Sequence, residues 1–334
     1  MILAGIDEAG YGPLLGPLVV GCCAFEVDGD AGTADPLPCL WKRLAKVVSR
    51  NRSKGGRKLH VNDSKQVYSS SVGIGELERS IVCMFLAAGH APGAFADFLG
   101  VVSPRAAEEL AQHPWYDPAA GETFPFEQDV LSLTLFANAL RAEMERAGTR
   151  CVHMAARVLP ERQLNDMLHR TRNKASVLFS VAATHLDHLL KTFGSRGLVI
   201  FCDRQGGREH YGQLLRTMFE EWPLEILREH DGHAEYVLHH PKGVAGDDGG
   251  PPPPVRIVFR EGCEEHCLSV ALASMLSKYL REGLMRRFNA FWRQHLPDVA
   301  PTAGYYSDGQ RFLRDIDAAR RALGIGDELL IRAR

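Results

Sequence analysis

Apolar and polar positions along the chain follow two periods, one typical of strands and one typical of helices. Residues 2–8 and 18–25 form apolar runs rich in β-branched side chains, and a segment containing glycine and proline separates them. These runs predict two paired strands joined by a turn. Apolar residues at helical spacing predict helices over residues 76–88 and 128–146.

Strand and helix patterns then alternate through the second half of the chain. Strands are predicted at residues 151–158, 197–202 and 255–259, and helices at residues 160–168, 174–193, 211–221 and 264–292. No internal repeat is visible. This order predicts an α/β fold in which helices flank a mixed central sheet, with a helical C-terminal part.

Three segments interrupt the pattern, and we expect them to be insertions in a single domain over residues 1–334. Residues 28–60 are basic, and residues 89–126 are rich in alanine, proline and glycine without a motif that suggests chemistry. Residues 241–254 contain a Gly-Asp-Asp-Gly-Gly run followed by four prolines. Such a sequence supports neither helix nor sheet, so it predicts a linker or an exposed loop.

The composition is that of a globular protein, with 334 residues of which 45% are hydrophobic and 24% are charged. These values exclude a mainly disordered, collagen-like or coiled-coil chain. The longest apolar stretches, such as residues 17–25, are far shorter than the ~20 residues of a membrane-spanning helix. Acids already stand at positions 7 and 8 and no basic leader precedes them, so we expect a cytoplasmic protein with no membrane partner.

The cysteines and the charged residues indicate the state of the thiols and the possible partners of the protein. The eight cysteines are sparse, and Cys22 and Cys23 lie in a predicted buried strand, which indicates reduced structural thiols. The net charge of -2 gives no general attraction for nucleic acid. Yet residues 41–58 hold eight basic side chains and no acid: Lys42, Arg43, Lys46, Arg50, Arg52, Lys54, Arg57 and Lys58. Such a run forms either a solvated loop or a phosphate-binding segment.

Carboxylates at the ends of predicted strands are the candidate functional residues. Asp7 and Glu8 close the first predicted strand, and Asp203 closes the strand at residues 197–202. Glu264 is predicted to open the long C-terminal helix, where the helix dipole favours an acid. Four acids brought together repel one another unless cations neutralise them, and oxygen-rich sites suit Mg²⁺ or Mn²⁺. The alternative for any one of them is a solvated residue or a helix cap.

These residues lie in motifs that resemble the type 2 ribonuclease H family, which comprises ribonucleases HII and HIII. Residues 5–20, Gly-Ile-Asp-Glu-Ala-Gly-Tyr-Gly-Pro-Leu-Leu-Gly-Pro-Leu-Val-Val, closely resemble the family's opening strand and turn. Other motifs follow in the family's order: Asn62-Asp63-Ser64-Lys65, Leu159-Pro160 with Leu164-Asn165, Phe201-Cys202-Asp203, Glu264 with the helix 271–278, and Gly304-Tyr305-Tyr306-Ser307-Asp308. No counterpart is found for residues 28–60 and 87–150.

The resemblance implies a ribonuclease H-like fold and a two-metal nuclease acting on nucleic acid. Its metal ligands would be Asp7, Glu8, Asp203 and Glu264, holding Mg²⁺ or Mn²⁺ ions about 4 Å apart. The implied substrate is an RNA/DNA hybrid or DNA that contains ribonucleotides. Cleavage would leave a 5′-phosphate and a 3′-hydroxyl, and we expect the enzyme to be a monomer.

The resemblance also implies how the substrate is bound. Gly10, Tyr11 and Gly12 would place backbone amides against the 2′-hydroxyl, the group that separates RNA from DNA. Lys65 would bind backbone phosphates, together with the basic run that precedes it. Tyr305 would stack on a sugar or base near the cut.

The chain departs from the family pattern at two positions. Tyr11 stands where ribonuclease HII usually has arginine, and tyrosine cannot supply the guanidinium charge, so the preferred substrate is open. The fourth acid is Glu264, as in ribonuclease HIII, where ribonuclease HII has aspartate. Glu265 takes that role if the register is off by one, and Glu282 is a weaker candidate.

Other functions stay open alongside the nuclease. One is a non-catalytic nucleic-acid-binding protein that retains the fold, and another is a nuclease for a different nucleic-acid structure. Retention of all four acids opposes the first, because clustered carboxylates repel a polyanion. A zinc site at Cys263, His266 and Cys267 is a weak alternative, since no second close pair accompanies it.

Overall fold

A computed structural model of the chain describes residues 1–29, 37–69, 71–119, 121–244 and 250–333. Its strands are β1 Ile2–Ala9, β2 Leu18–Val27, β3 Val48–Ser49, β4 Leu59–His60, β5 Thr149–Leu159, β6 Leu198–Asp203, β7 Leu224–His230, β8 His233–Leu238 and β9 Val255–Arg260. Its helices are α1 Leu40–Arg43, α2 Ser64–Val67, α3 Gly75–Ala87, α4 Phe95–Val102, α5 Ala106–Leu110, α6 Val130–Arg146, α7 Glu161–Thr171, α8 Lys174–Phe193, α9 Gly212–Met218, α10 Leu268–His295, α11 Tyr306–Ala322 and α12 Asp327–Leu330.

Within the described ranges, seven strands form one mixed sheet in the order β5-β2-β1-β6-β9-β8-β7. β1 pairs antiparallel with β2 and parallel with β6, and β6 pairs parallel with β9. β3 and β4 form a separate parallel pair. The mixed sheet flanked by helices, followed by a helical C-terminal part, confirms the architecture predicted from the sequence.

Both faces of the sheet are buried at β1, where the side chains of successive residues lie on opposite faces. Leu3 of β1 lies in a core cluster with residues of α3 and α10, whereas Ile2, Ala4 and Ile6 lie in a second cluster with residues of α8. A central strand covered on both faces needs a continuous apolar run. The opening residues of the chain supply that run, so β1 is fixed between two helical layers.

Helix α10 packs directly on the sheet at two glycines. A Cβ atom on Gly5 would lie 2.2 Å from the Val270 nitrogen, and one on Gly21 would lie 2.5 Å from Ser277 Oγ. Only glycine allows so close an approach of helix and strand. Ser277 Oγ also donates a hydrogen bond to the carbonyl oxygen of Asp7 at 3.1 Å. The helix therefore fixes the end of β1.

The predicted start of the long helix is wrong. Glu264 lies in a separate 3₁₀ turn, Cys263–Glu265, and α10 begins at Leu268. Gly262 has φ 64°, which lets the chain turn after β9, and the extended backbone of Cys267 separates this turn from the helix. Glu264 is thus positioned by a tight turn and not by the dipole of α10.

The hairpin β7–β8 is absent from the sequence prediction. Its strands are joined by Asp231 and Gly232, both with positive φ (54° and 68°), which matches the twist of a two-residue hairpin turn. The hairpin pairs with β9 through β8 and extends the sheet by two strands. It carries His230, which is exposed, and His233, which is half-buried.

The three predicted insertions differ in structure. The described part of residues 28–60 is anchored by buried Trp41, whose Nε1 donates to the carbonyl oxygen of Val61 at 3.1 Å. The described part of the insertion at 89–126, which leaves out residue 120, packs side chains such as Trp115 into the core. Residues 30–36 and 245–249 lie outside the described residues, and the described rest of 241–254 forms no helix or strand. The domain boundaries stay predictions.

All eight cysteines lie in the described ranges and are free. Seven are buried and Cys39 is half-buried. Burial raises the pKa of the Cys83 and Cys151 thiols to about 12. Among the helices of the described residues, none has the length and apolar character needed to cross a bilayer.

Candidate active site

Two carboxylates stand at the end of β1 and a third at the end of β6. Asp7 is buried, and its Oδ1 accepts the backbone N–H of Glu8 at 2.8 Å. The parallel register that pairs Ile6 with Cys202 places Asp203 next to Asp7, because neighbouring parallel strands end at the same edge of a sheet. This edge is where ligands bind in open α/β sheets.

The turn after β9 brings Glu264 to the same edge. The backbone N–H of Cys263 donates to Asp203 Oδ1 at 3.2 Å, and burial and then the charge of Asp203 raise the pKa of Glu264. Glu264 is buried whereas Glu265 is exposed, so Glu264 is the acid that joins the others. Glu282 is held elsewhere by hydrogen bonds from the Tyr68 hydroxyl and the Lys278 ammonium. We call Asp7, Glu8, Asp203 and Glu264 the acid cluster.

Burial raises the pKa of every carboxyl in the acid cluster, and charge repulsion adds to this rise at Asp7, Glu8 and Glu264. For Asp7, burial is the largest cause, followed by the charges of Glu8 and Asp203. Burial and then Asp203 raise the pKa of Glu8 to about 7, and the same two causes raise the pKa of Glu264 to about 7. Burial also raises the pKa of Asp203. The four groups therefore interact as one site.

The donor atoms of the acid cluster fit a hard divalent cation. Oε2 of Glu8 and Oε2 of Glu264 are buried and have no hydrogen-bond partner in the described part of the chain. A buried carboxylate oxygen without a partner is costly, and a cation satisfies it. An all-oxygen donor set suits Mg²⁺ or Mn²⁺. Among the described residues, no group of three or more His, Cys, Asp or Glu side chains forms a ready-made metal site.

Lys65 lies within electrostatic reach of the acid cluster. It belongs to the short helix α2, whose N-cap Asp63 accepts the backbone N–H of Lys65 at 3.2 Å. Asp63 is the largest cause that raises the pKa of Lys65, and three members of the cluster add to it: Asp7, Glu264 and Asp203. The predicted phosphate-binding lysine and the predicted metal ligands are thus brought together.

Asp63 and Ser274 belong to the site although sequence reasoning gave them no role. Asp63 raises the pKa of Glu264 by charge repulsion. Ser274 of α10 donates to Ser64 Oγ at 3.1 Å, and its hydrogen bond to Asp7 lowers the pKa of that carboxyl. Both residues lie inside the motifs quoted above, so their positions in the motifs were the available signal.

In the turn that follows β1, carbonyl oxygens are hydrogen-bonded, whereas two N–H groups have no acceptor among the described residues. Gly10 adopts φ 89°, and a Cβ atom there would lie 2.6 Å from the carbonyl oxygen of Pro17. The carbonyl oxygens of Gly10 and Tyr11 accept hydrogen bonds from Arg332. Within the described ranges, the N–H groups of Tyr11 and Gly12 have no acceptor. A Cβ atom on Gly12 would meet no atom within 4 Å, so this side of the turn is open.

Tyr305 lies beside this turn. Its ring is 52% exposed, and it is the N-cap residue of α11. The preceding residue, Gly304, accepts the backbone N–H groups of Leu14 and Leu15 at 2.7 and 3.1 Å, which fixes α11 to the turn. The Tyr305 ring centroid lies 5.9 Å from the guanidinium carbon of Arg281. An exposed aromatic face therefore stands at the border of the site.

Comparisons with known proteins give structural neighbours alone. No family model matches the chain, and no curated protein sequence matches it. A chain of the PCNA:RNase HII complex from Archaeoglobus fulgidus is similar at 13% identity and a TM-score of 0.41, over 100% of this chain and 95% of that chain. Ribonuclease H2 from Pyrococcus horikoshii is similar at 12% identity and a TM-score of 0.45, over 99% and 92%. Bst-RNase HIII in complex with Mn²⁺ is similar at 12% identity and a TM-score of 0.40, over 99% and 66%. These neighbours are ribonucleases HII and HIII, the family that the sequence motifs resemble.

Proposed function

We propose that the protein is a metal-dependent endonuclease that hydrolyses phosphodiester bonds at ribonucleotides, in RNA/DNA hybrids or in duplex DNA. The observation that carries this proposal is the acid cluster, whose four interacting carboxyls stand beside a turn with backbone amides that no described residue accepts. Carboxylates next to a polyanion serve a purpose only when cations bind between them. The motifs that resemble type 2 ribonucleases H supply the substrate class.

The proposed reaction is an in-line displacement at phosphorus. The oxygen of a water molecule loses a proton and forms a bond to phosphorus, the bond between phosphorus and the 3′-oxygen breaks, and the 3′-oxygen takes up a proton. The products carry a 5′-phosphate and a 3′-hydroxyl. Two Mg²⁺ or Mn²⁺ ions held by the acid cluster would stabilise the charge of the attacking and leaving oxygens. Asp7 and Asp203 lie at the ends of two paired strands. Because both strands are rigid parts of the sheet, the acid cluster is held at a fixed distance from the turn that follows β1.

The open side of the turn provides the means to recognise ribose. Among the residues that the structure describes, none accepts the N–H groups of Tyr11 and Gly12, and a 2′-hydroxyl oxygen is an acceptor that DNA lacks. Backbone donors contact the sugar and leave the base unread, so we expect cleavage without sequence preference. The space beside Gly12 lets the sugar come close to the backbone.

Phosphates further from the cut would be bound by Lys65 and the basic run at 41–58. Part of that run is used inside the protein: the Arg43 guanidinium donates to the carbonyl oxygen of Ala147, and Arg50 stacks on Trp41 at 4.0 Å. The basic side chains that remain exposed, without an ion pair in the described residues, are Lys42, Lys46, Lys54 and Arg57. They suit phosphate contacts, which position a duplex without reading its sequence.

The test is cleavage of three end-labelled duplexes, in Mg²⁺ and separately in Mn²⁺: all-DNA, DNA with one ribonucleotide, and an RNA/DNA hybrid. We expect cleavage of the ribose-containing duplexes alone. Asp203→Asn and Glu264→Gln are expected to abolish it, whereas the control Glu265→Gln changes an exposed neighbour and keeps full activity. Equal cleavage of all-DNA would favour a nuclease for another structure. Binding of the hybrid without cleavage would favour the non-catalytic binding protein.

A further inference from the structure

Two basic side chains from separate elements surround Tyr11. Lys174, the first residue of α8, places its ammonium nitrogen 4.8 Å from the centroid of the Tyr11 ring. Burial and then Glu8 raise the pKa of Tyr11, and the charge of Arg208, in the loop after β6, opposes this rise. The two cations and Glu8 of the acid cluster thus act on the same tyrosine.

The loop after β6 is held tightly in this position. A Cβ atom on Gly206 would lie 2.9 Å from the Ala175 Cβ and 3.0 Å from the Tyr11 hydroxyl oxygen, so the loop packs against both α8 and the turn. Arg204 fixes the loop from within, because its guanidinium donates to the carbonyl oxygens of Gly207 and Arg208 at 2.9 and 3.2 Å. The loop begins directly after Asp203, which belongs to the acid cluster. It therefore connects the acid cluster to Arg208, which acts on Tyr11.

Arg208 is placed for a ligand rather than for an internal ion pair. Its Nη2 contacts Ser176 Oγ at 3.4 Å, and its Nε is buried without a hydrogen-bond partner in the described part of the chain. No carboxylate lies within ion-pair distance of Arg208 among the described residues, although Arg204 pairs with Glu209 at 3.2 Å. A half-buried guanidinium that forms no ion pair with a described carboxylate suits a phosphate oxygen, which accepts charge-assisted hydrogen bonds.

We propose that Lys174 and Arg208, arranged around the Tyr11 ring, bind a phosphodiester group of the substrate strand next to the nucleotide that lies on the Gly10–Gly12 turn. Tyr11 itself carries no positive charge, and the two neighbouring side chains supply it from α8 and from the loop after β6. The proposal rests on the proposed function, since it concerns the same substrate. It adds a phosphate site beside the turn whose carbonyl oxygens Arg332 holds.

The test measures binding separately from cleavage. A duplex with one ribonucleotide is titrated into the full-length Asp203→Asn protein by fluorescence anisotropy at several salt concentrations. Lys174→Gln and Arg208→Gln are each expected to weaken binding by about tenfold and to lower the slope of log affinity against log salt by about one. Lys174→Arg keeps the charge and is expected to keep the slope. Lys191→Gln, at the other end of α8, is the matched control and is expected to bind as the parent does.

A second probe locates the contact. A series of duplexes carries a single neutral methylphosphonate linkage at successive positions around the ribonucleotide. In the parent, binding is expected to weaken at one position close to the ribonucleotide, and in the Lys174→Gln, Arg208→Gln double variant that position is expected to show no further loss. Thermal melting checks that each variant is folded.

The outcomes separate this inference from the proposed function. If the wild-type chain cleaves ribose-containing duplexes while both variants keep the parent's salt slope and methylphosphonate profile, the phosphate site is wrong and the nuclease stands. If no duplex is cleaved but the slope and profile change as expected, the phosphate site stands and the catalytic proposal falls. Absence of any duplex binding overturns both.

Discussion

Arg332 donates a hydrogen bond through its guanidinium to the carbonyl oxygen of Gly10, 322 positions away along the chain. The same guanidinium donates to the carbonyl oxygen of Tyr11 at 3.2 Å. Asn165 of α7 holds the neighbouring C-terminal residue, because its Nδ2 donates to the carbonyl oxygen of Ile331 at 2.7 Å. The C-terminal segment thus fixes the carbonyl side of the turn.

Replacing Arg332 by alanine is expected to disturb the turn and so reduce cleavage. The carbonyl oxygens of Gly10 and Tyr11 lose a buried donor, and small displacements of a substrate-positioning group cost on the order of 10–100-fold in kcat/KM. We expect the discrimination between ribose and deoxyribose to fall as well, and free guanidinium ion at low concentration to restore part of the activity. Steady-state kinetics on the three duplexes checks this. Arg321→Ala, exposed on α11, is the control, and unchanged kinetics of Arg332→Ala would contradict the assignment.

Gly5→Ala is expected to lower the stability of the protein, whereas Gly12→Ala is expected to lower its affinity for substrate. A Cβ atom on Gly5 would collide with the backbone of α10, so Gly5→Ala should lower the free energy of unfolding by about 1–3 kcal/mol or more. A Cβ atom on Gly12 meets nothing within 4 Å, so Gly12→Ala should leave the stability unchanged. The same methyl group would fill the space proposed for the sugar, so substrate affinity should fall. Urea unfolding and anisotropy titration measure the two effects, and equal stability losses would refute the contrast.

Neutralising Asp7 is expected to stabilise the protein while abolishing its activity. Asp7 is buried beside Glu8 and Asp203, and Asp7→Asn removes that repulsion, which should raise the free energy of unfolding by about 1–2 kcal/mol near neutral pH. Added Mg²⁺ should raise the melting temperature of the wild type and leave that of the variant unchanged. Differential scanning fluorimetry with and without Mg²⁺ measures both. Asp187→Asn, on the exposed part of α8, is the control. A variant less stable than the wild type would contradict the prediction.

Glu161 is expected to make stability depend on pH. Its Oε1 accepts the backbone N–H of Gly16 at 3.1 Å and the Tyr116 hydroxyl at 2.9 Å, and burial raises the pKa of its carboxyl to about 7. Because this folded-state pKa lies above the unfolded value, the contribution of Glu161 is fully present below about pH 4.5 and is lost as the pH rises through about 7. Glu161→Gln keeps the acceptor oxygen and removes the titration.

The measurement is the difference in unfolding free energy between Glu161→Gln and the wild type, at about pH 5 and about pH 8. We expect this difference to increase with pH by on the order of 2–3 kcal/mol. The wild-type profile alone does not isolate Glu161. His113 lies 3.8 Å away with its pKa lowered to about 4 by burial, and its contribution is lost as the pH falls. A difference that stays constant with pH would show that Glu161 is ionised in the folded protein throughout this range.

The sequence predicted the parts of the site that depend on local patterns. Asp7 and Asp203 follow apolar runs that end at turns, and two neighbouring parallel strands bring such residues to one edge. The sequence assigned Glu264 to the wrong element, because the helical spacing of apolar residues continues through Cys267, whose backbone is extended in the structure. The hairpin at Asp231-Gly232 had a recognisable turn signal, which the polar, histidine-rich strands around it obscured.

Contacts between distant parts of the chain could not be predicted in this way. Lys174 reads as the first residue of a helix and Arg332 as a charged residue near the end of the chain. Their importance comes from tertiary packing, which places the first against Tyr11 and buries the second against Gly10. Neither position has a periodic or motif signal, so the surroundings of the turn became visible only in the folded chain.

Burial of seven thiols has a practical consequence for experiments on this protein. Thiol-reactive dyes need access to the sulfur, and among the described residues Cys39 is the cysteine that retains partial exposure. It lies two residues before Trp41, at the start of the basic run. The natural chain therefore offers a single attachment point for a fluorophore beside the surface proposed to hold phosphates, and the arrival of a duplex can be followed optically without altering the sequence.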